Sequence, residues 1–313
     1  MPRGILVPVR GDVADEDVFA MALAIGGPRD AHFVVLHIRP DVVRDIALMA
    51  VGDGGMGLGA DAMIGQMENE ADAREQAAEQ GWRAFLERNA ITMADRPVEN
   101  GPPVDGAAAG DGPAADKPLP GGTGMTSEWV SEIGVEADWI AAYGRTADLI
   151  VVGRGEGDQE PDVMLMEATL MDTGKPVLIA PRSSPDAPPL NGVAGIAWKD
   201  TPEAGAAVHA ALPWLRAAEQ VIIFIVLEDK EEQEKSHLRL ARMLRWHNPR
   251  VTIHAARDDG RGAVNVLLDA VSKAGCGLLV MGGYGHGALR QAVFGGFTRA
   301  VLEAAALPVL MAH

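Results

Sequence analysis

Apolar residues in this chain gather into short unbroken runs, and between the runs they recur every three or four positions along more polar stretches. Unbroken runs bounded by glycine, proline or charge predict strands buried on both faces, and the spaced stretches predict amphipathic helices. Ile5–Val9 reads as a first strand, ended by Arg10, Gly11 and Asp12. Asp15, Glu16 and Asp17 suit a helix N-terminus, where the helix dipole favours carboxylates, and Val18, Met21, Ala22 and Ile25 give that helix an apolar face until Gly26, Gly27 and Pro28 stop it. Phe33–Ile38 is the next strand. Parallel strands joined by a helix need helical cover, so the class is α/β.

The same pattern runs through the rest of the chain. Residues 39–66 are dense in glycine and read as a loop, with a lid over a ligand as the functional alternative. Gln66–Ala90 reads as a helix with Trp82 and Phe85 on its core side. Residues 95–124, rich in proline, glycine, alanine and aspartate, read as a flexible insertion, because they lack the apolar surface needed to offset ordering entropy. Strands follow at Thr126–Gly134, Leu149–Gly153 and Pro176–Ala180, with helices at Val135–Tyr143 and Met164–Met171. After a linker at Pro181–Asn191, strands at Val193–Trp198, Val221–Leu227, Arg250–Ala255, Leu278–Met281 and Pro308–Ala312 alternate with helices at Pro202–Arg216, Glu231–Trp246 and Gly262–Ala274. ADLIVVGR and GKPVLIAP in the first half match CGLLVMGG and ALPVLMAH in the second, and GILVPVRGD matches VAGIAWKDT. The chain therefore reads as a tandem duplication, with domains at 1–182 and 192–313.

The last strand–helix unit holds the main chemical signal. Leu278–Met281 opens into Gly282, Gly283, Gly285 and Gly287, and Gly295 and Gly296 then open a helix with Phe297, Ala300, Val301, Ala304 and Ala305 as its apolar face. Glycine lets an anion approach the unpaired N–H groups at a helix start, and a phosphate chain fits such a loop. Gly283, Gly285 and Ala288 also spell a G-x-G-x-x-A dinucleotide pattern, but no acidic residue follows at the required distance, and no Gly-Lys-Ser/Thr phosphate loop occurs. Tight turns and close helix packing are the purely structural reading of these glycines.

Gly282, two residues, Gly285, nine residues and Gly295 make a spacing that resembles the G-x2-G-x9-G-(S/T) signature of the universal stress protein family, and LLVMGGYGH, FGGFTR and PVLMA are similar to its flanks. The resemblance implies two tandem five-stranded parallel-sheet domains of strand order 3-2-1-4-5, adenine nucleotide alpha-hydrolase-like, whose fifth strands pair within the chain as an intramolecular pseudo-dimer. A homodimer is a further assembly it allows. It also implies an adenine nucleotide ligand, ATP, ADP or AMP, with Mg accompanying ATP, and a role in stress response. The corresponding crevice in the second half is lined by Ala197, Lys199, Thr201, Val226, Gly282, Gly285, His286, Gly295, Gly296, Phe297 and Thr298. Two positions depart from the family pattern: Gly296 stands where Ser or Thr is expected, with Thr298 keeping a hydroxyl two residues on, and Lys199 stands where members commonly carry aspartate. In the first half the matching loop, Gly153–Asp162, loses the glycine spacing and carries Glu156, Asp158, Glu160 and Asp162, so that site reads as vacant or structural.

Composition narrows the partners. A net charge of −17 over 313 residues argues against nucleic acid and against an anionic membrane surface. Cys276 is the sole cysteine, which excludes an internal disulfide and suits a reducing compartment, and no leader or membrane-length apolar run is visible, so the expected location is the cytoplasm. No paired-histidine metal spacing, nucleophile elbow or cysteine cluster is present, so no catalytic or metal-binding residue is nominated. Weak ATP hydrolysis and a nucleotide-free interaction protein are the alternatives to a nucleotide-binding regulator.

Overall fold

The computed structural model describes residues 2–26, 31–44, 46–47, 60–94, 124–154, 163–181, 188–227, 235–258, 260–283 and 296–313. The expected lid, the insertion, and the loops between 155 and 162 and between 284 and 295 lie outside these, save for their edges.

The apolar runs form strands β1 (Gly4–Val9), β2 (His32–Arg39), β3 (Thr92–Met93), β4 (Thr126–Ile133), β5 (Leu149–Val152), β6 (Val177–Ile179), β7 (Val193–Ala197), β8 (Gln220–Leu227), β9 (Val251–Arg257), β10 (Cys276–Gly282) and β11 (Val309–Ala312). Between them stand α1 (Ala14–Gly26), α2 (Ala60–Asn89), α3 (Glu136–Gly144), α4 (Val163–Thr173), α5 (Pro202–Ala217), α6 (Ser236–Leu244), α7 (Ala263–Lys273) and α8 (Gly296–Ala304). All strands lie in one eleven-stranded sheet of order β3-β4-β2-β1-β5-β6-β11-β10-β7-β8-β9. The expected pairing of the two fifth strands, β6 with β11, is present and makes the sheet continuous, and the expectation of five strands per half is corrected by β3, a short edge strand parallel to β4.

The sheet is parallel apart from its centre, where β6 and β11 run antiparallel with Leu310 opposite Leu178. Every residue of both strands is buried. Helices cover both faces, which explains why strands such as β5 and β10 read as continuous apolar runs. One face packs Phe19, Trp82 and Phe85 in the first half and Val208, Leu215 and Leu240 in the second; the other packs Ile140 and Leu170 with Leu267, Val301 and Leu302. The Trp82 indole N–H donates to Ser127 Oγ at 2.8 Å, and that hydroxyl donates to the Phe33 carbonyl at 3.0 Å, so the buried polar atoms are satisfied.

Three local expectations shift. Helix α2 begins at Ala60, inside the stretch read as loop. Helix α6 is described only from Ser236, because residues 228–234 fall outside the described set. The buried face of α8 is Thr298, Val301, Leu302 and Ala305, while Phe297 is 40% exposed. That face keeps the i, i+3, i+4, i+7 spacing but is turned by one residue, since Leu302 outweighs Phe297 in the core.

The central pairing sets a stability expectation. Leu310→Ala removes a fully buried side chain and should cost about 2–5 kcal/mol in urea unfolding; a loss below about 1 kcal/mol would contradict close packing at the junction.

Candidate functional site

In an open parallel sheet, ligands bind beyond the carboxyl ends of the strands where strand order reverses. The chain has two such points. β1 lies between β2 and β5 in the first half, and β7 lies between β8 and β10 in the second.

At the second-half point, Ala197 pairs with Met281 and with Phe224, so the ends of β7, β8 and β10 come together and Gly282 projects one residue further. Lys199 follows β7 and is exposed, and among the described residues it forms no ion pair. Thr201 caps α5: its Oγ1 accepts the Ala204 N–H at 3.2 Å. Val226 sits half-buried near the end of β8, opposite Ala256 rather than against β7. A Cβ on Gly282 would lie 2.6 Å from the Ala204 backbone nitrogen, so glycine here lets the strand end approach the first turn of α5. Gly296, at the start of α8, has nothing among the described residues within 4 Å of an added Cβ and no positive φ. Thr298 is only 7% exposed and lies on the core side of α8, whereas Phe297 faces outward. Gly285, His286 and Gly295 are outside the described residues.

The first-half point is built from the same parts and filled differently. Gly153 matches Gly282 at the end of the fourth strand of its half, and a Cβ there would meet Val18 Cγ2 of α1 at 2.9 Å. Asp12, two residues before α1, accepts the Ala14 N–H through its Oδ1 at 2.8 Å, at the position that Thr201 holds before α5. The crevice, of about 40 Å3, is lined by Arg10, Asp12, Asp15, Glu136, Gly153 and Met166 among others. That is space for a few waters.

Two carboxylates occupy its donors, one cationic and two of the backbone. Arg10 Nε and Nη2 donate to Glu136 Oε1 and Oε2, both at 2.8 Å, a fork-to-fork pair. Asp15 Oδ1 accepts the Arg10 N–H at 3.0 Å and Oδ2 accepts the Gly11 N–H at 2.8 Å. Burial raises the Asp15 pKa from 3.8 to about 6, against the lowering effect of those two N–H groups. Sequence reasoning missed this arrangement, because 126 residues separate Arg10 from Glu136. The signal available was a basic residue at the end of the first strand in both halves.

Elsewhere, burial of Cys276 pushes its thiol up to about 11, so it is an inert core residue. Among the described residues there is no group of three or more His, Cys, Asp or Glu side chains placed to hold a metal, and no helix is long and apolar enough to cross a membrane.

With the crevices placed, comparison with known proteins relates the second half to a family and the whole chain to a fold. The sequence model of the Universal stress protein family matches residues 199–313. This segment is a universal stress protein domain. It takes in Lys199, α5 and the whole path from β8 to β11. Among solved structures, a universal stress protein from Archaeoglobus fulgidus DSM 4304 aligns at a TM-score of 0.62 with 14% identity, covering 98% of this chain and 96% of that one. A putative universal stress protein from Pseudomonas aeruginosa UCBPP-PA14 aligns at 0.53 with 14% identity, covering 99% and 92%. These likenesses, each over nearly the full length, show a shared fold for the whole chain. No curated protein matches the sequence.

The geometry of the first-half crevice makes a pH prediction. The raised pKa of Asp15 stabilises the fold below its unfolded value and loses that contribution as pH climbs through about 6. The stability of the parent relative to Asp15→Asn should therefore fall between about pH 4 and pH 6 and level off above. A relative stability that rises over that window in urea titrations would contradict the burial of Asp15.

Proposed function

We propose that the universal stress protein domain binds an adenine nucleotide in the crevice at the ends of β7 and β10, and that the first half carries a degenerate copy of that site. On this reading the chain comprises two tandem units, 1–182 and 192–313, each of strand order 3-2-1-4-5 with β3 as an addition. The β6–β11 pair stands in for the contact between subunits. The protein is a cytoplasmic, ligand-responsive stress-response regulator rather than a dedicated enzyme.

The observation that carries the proposal is the contrast between the two switch points. In the first, Glu136 takes the Arg10 guanidinium and Asp15 takes the backbone N–H groups of Arg10 and Gly11. In the second, the position matching Arg10 is Lys199, exposed and without an ion pair among the described residues, and α8 begins at Gly296, where an added Cβ meets nothing among the described residues. Phosphate oxygens suit such a lysine, and an anion at the start of α8 gains from the unpaired N–H groups there.

One observation favours a nucleotide-free interaction protein instead: Gly282 is accounted for by its approach to α5, with no ligand needed. Calorimetry separates the two. The parent should bind ATP weakly, Gly296→Ser should tighten binding by supplying the missing hydroxyl, and Lys199→Glu should weaken it about tenfold or more. An added Ser at Gly296 meets no neighbour among the described residues, and an unchanged melting temperature would assign its effect to the ligand rather than the fold. Failure of the parent and Gly296→Ser alike to bind at millimolar ATP would establish the nucleotide-free reading.

A further inference from the structure

The chain carries a second recognition surface at the opposite end of its second half. From 236 to 257 the sequence has no aspartate or glutamate but five arginines, at 239, 242, 245, 250 and 257, within a chain of net charge −17. The structure divides this run: Arg239, whose partner Asp200 follows Lys199, and Arg257, the last residue of β9, lie toward the crevice end, whereas Arg245 and Arg250 flank the turn at the other end, one helical turn from Arg242. On α6 the buried residues Leu240, Ala241 and Leu244 define the core side, and Arg239 and Arg242 lie on the other, continued by Arg245 just beyond the helix. Arg239 pairs with Asp200 at 2.9 Å, whereas Arg242 and Arg250 form no ion pair among the described residues.

The turn that follows α6 is fixed from below. Asn248, buried, donates to the Leu215 and Ala218 carbonyls at 3.0 and 2.8 Å, and its Oδ1 accepts the Arg250 N–H at 2.9 Å. Arg216 Nε donates to His247 Nδ1 at 3.1 Å, and Arg245 donates to the Val251 carbonyl at 3.4 Å. This anchored turn holds Trp246 at 87% exposure between Arg245 and Arg250. Arginines near helix C-termini complement the helix dipole, which accounts for Arg216 and Arg242 without a ligand. It does not account for an indole displayed to water on a pinned turn.

We infer that the turn after α6 binds single-stranded nucleic acid, with a base stacked on Trp246 and backbone phosphates on Arg242, Arg245 and Arg250. Indole faces and arginines together are the means by which single strands are held without sequence readout. A single strand fits better than a duplex, because an indole needs an unstacked base. It also fits better than an anionic bilayer, which would bring the acid-rich remainder of the protein against a plane of like charge. Global charge does not forbid the contact, since screening limits exposed charges to about 8 Å at physiological ionic strength. The surface lies where β8 and β9 begin, whereas the nucleotide crevice lies where β7 and β10 end. Lys199→Glu and Gly296→Ser therefore leave it intact.

The test is fluorescence anisotropy of a labelled oligothymidine or oligouridine strand with the full chain. Saturable binding is expected, weakening about twentyfold between 50 and 200 mM salt for three phosphate contacts. Trp246→Ala should weaken it roughly tenfold with an unchanged melting temperature, and Arg242→Glu should do likewise. Three results would each overturn the inference: no binding at about 100 μM protein, equal binding by Trp246→Ala, or tighter binding to phosphatidylserine vesicles than to the strand.

Discussion

The antiparallel contact between Val177–Ile179 and Val309–Ala312 holds the molecule together. Each strand is the last of its half, and each would otherwise be an open apolar edge of a parallel sheet, a template for aggregation. Joined to each other they become the buried centre of a continuous sheet, leaving β9 and the short β3 as its ends. Residues from both halves then share the packing on each face of the sheet. Hydrophobic burial across that seam makes the two halves one body, and it fixes both switch points at set positions along a single sheet.

From that frame the two halves diverge by a few side chains at equivalent places. Asp12 and Thr201 both accept a backbone N–H from the first turn of the first helix of their half, and Gly153 and Gly282 both let the fourth strand approach it. The same local scaffold is thus kept twice. What differs is the occupant: in the first half a guanidinium and two backbone N–H groups are satisfied by Glu136 and Asp15, whose burial is reflected in its raised pKa. A charged ligand there would have to displace a bidentate ion pair and overcome carboxylate repulsion. Lys199 poses no such obstacle in the universal stress protein domain.

Strand and helix order was legible from the sequence because buried parallel strands leave unbroken apolar runs, as in Leu149–Val152 and Cys276–Gly282. The core side of α2 was legible too, since Trp82 and Phe85 are too large to be placed by chance on a helical spacing. Other features were hidden for physical reasons. β3 is two exposed residues that pair only because β4 offers an edge, so no periodicity marks it. The α8 face was misread by one residue because Phe297 looked like a core residue and Thr298 like a ligand, whereas burial of Leu302 rotates the helix the other way. The Arg10–Glu136 pair depends on tertiary folding, and the arginine-rich surface is masked in the net charge, which sums over a whole chain what binding reads locally.

Of the two equivalent crevices the first is filled by its own side chains, and ligand stoichiometry tests directly whether the second alone takes a nucleotide. Native mass spectrometry of the full chain with ATP should show a single specifically bound nucleotide per chain at saturation. Two nucleotides per chain would contradict the self-filled first half, and none would contradict the open second half.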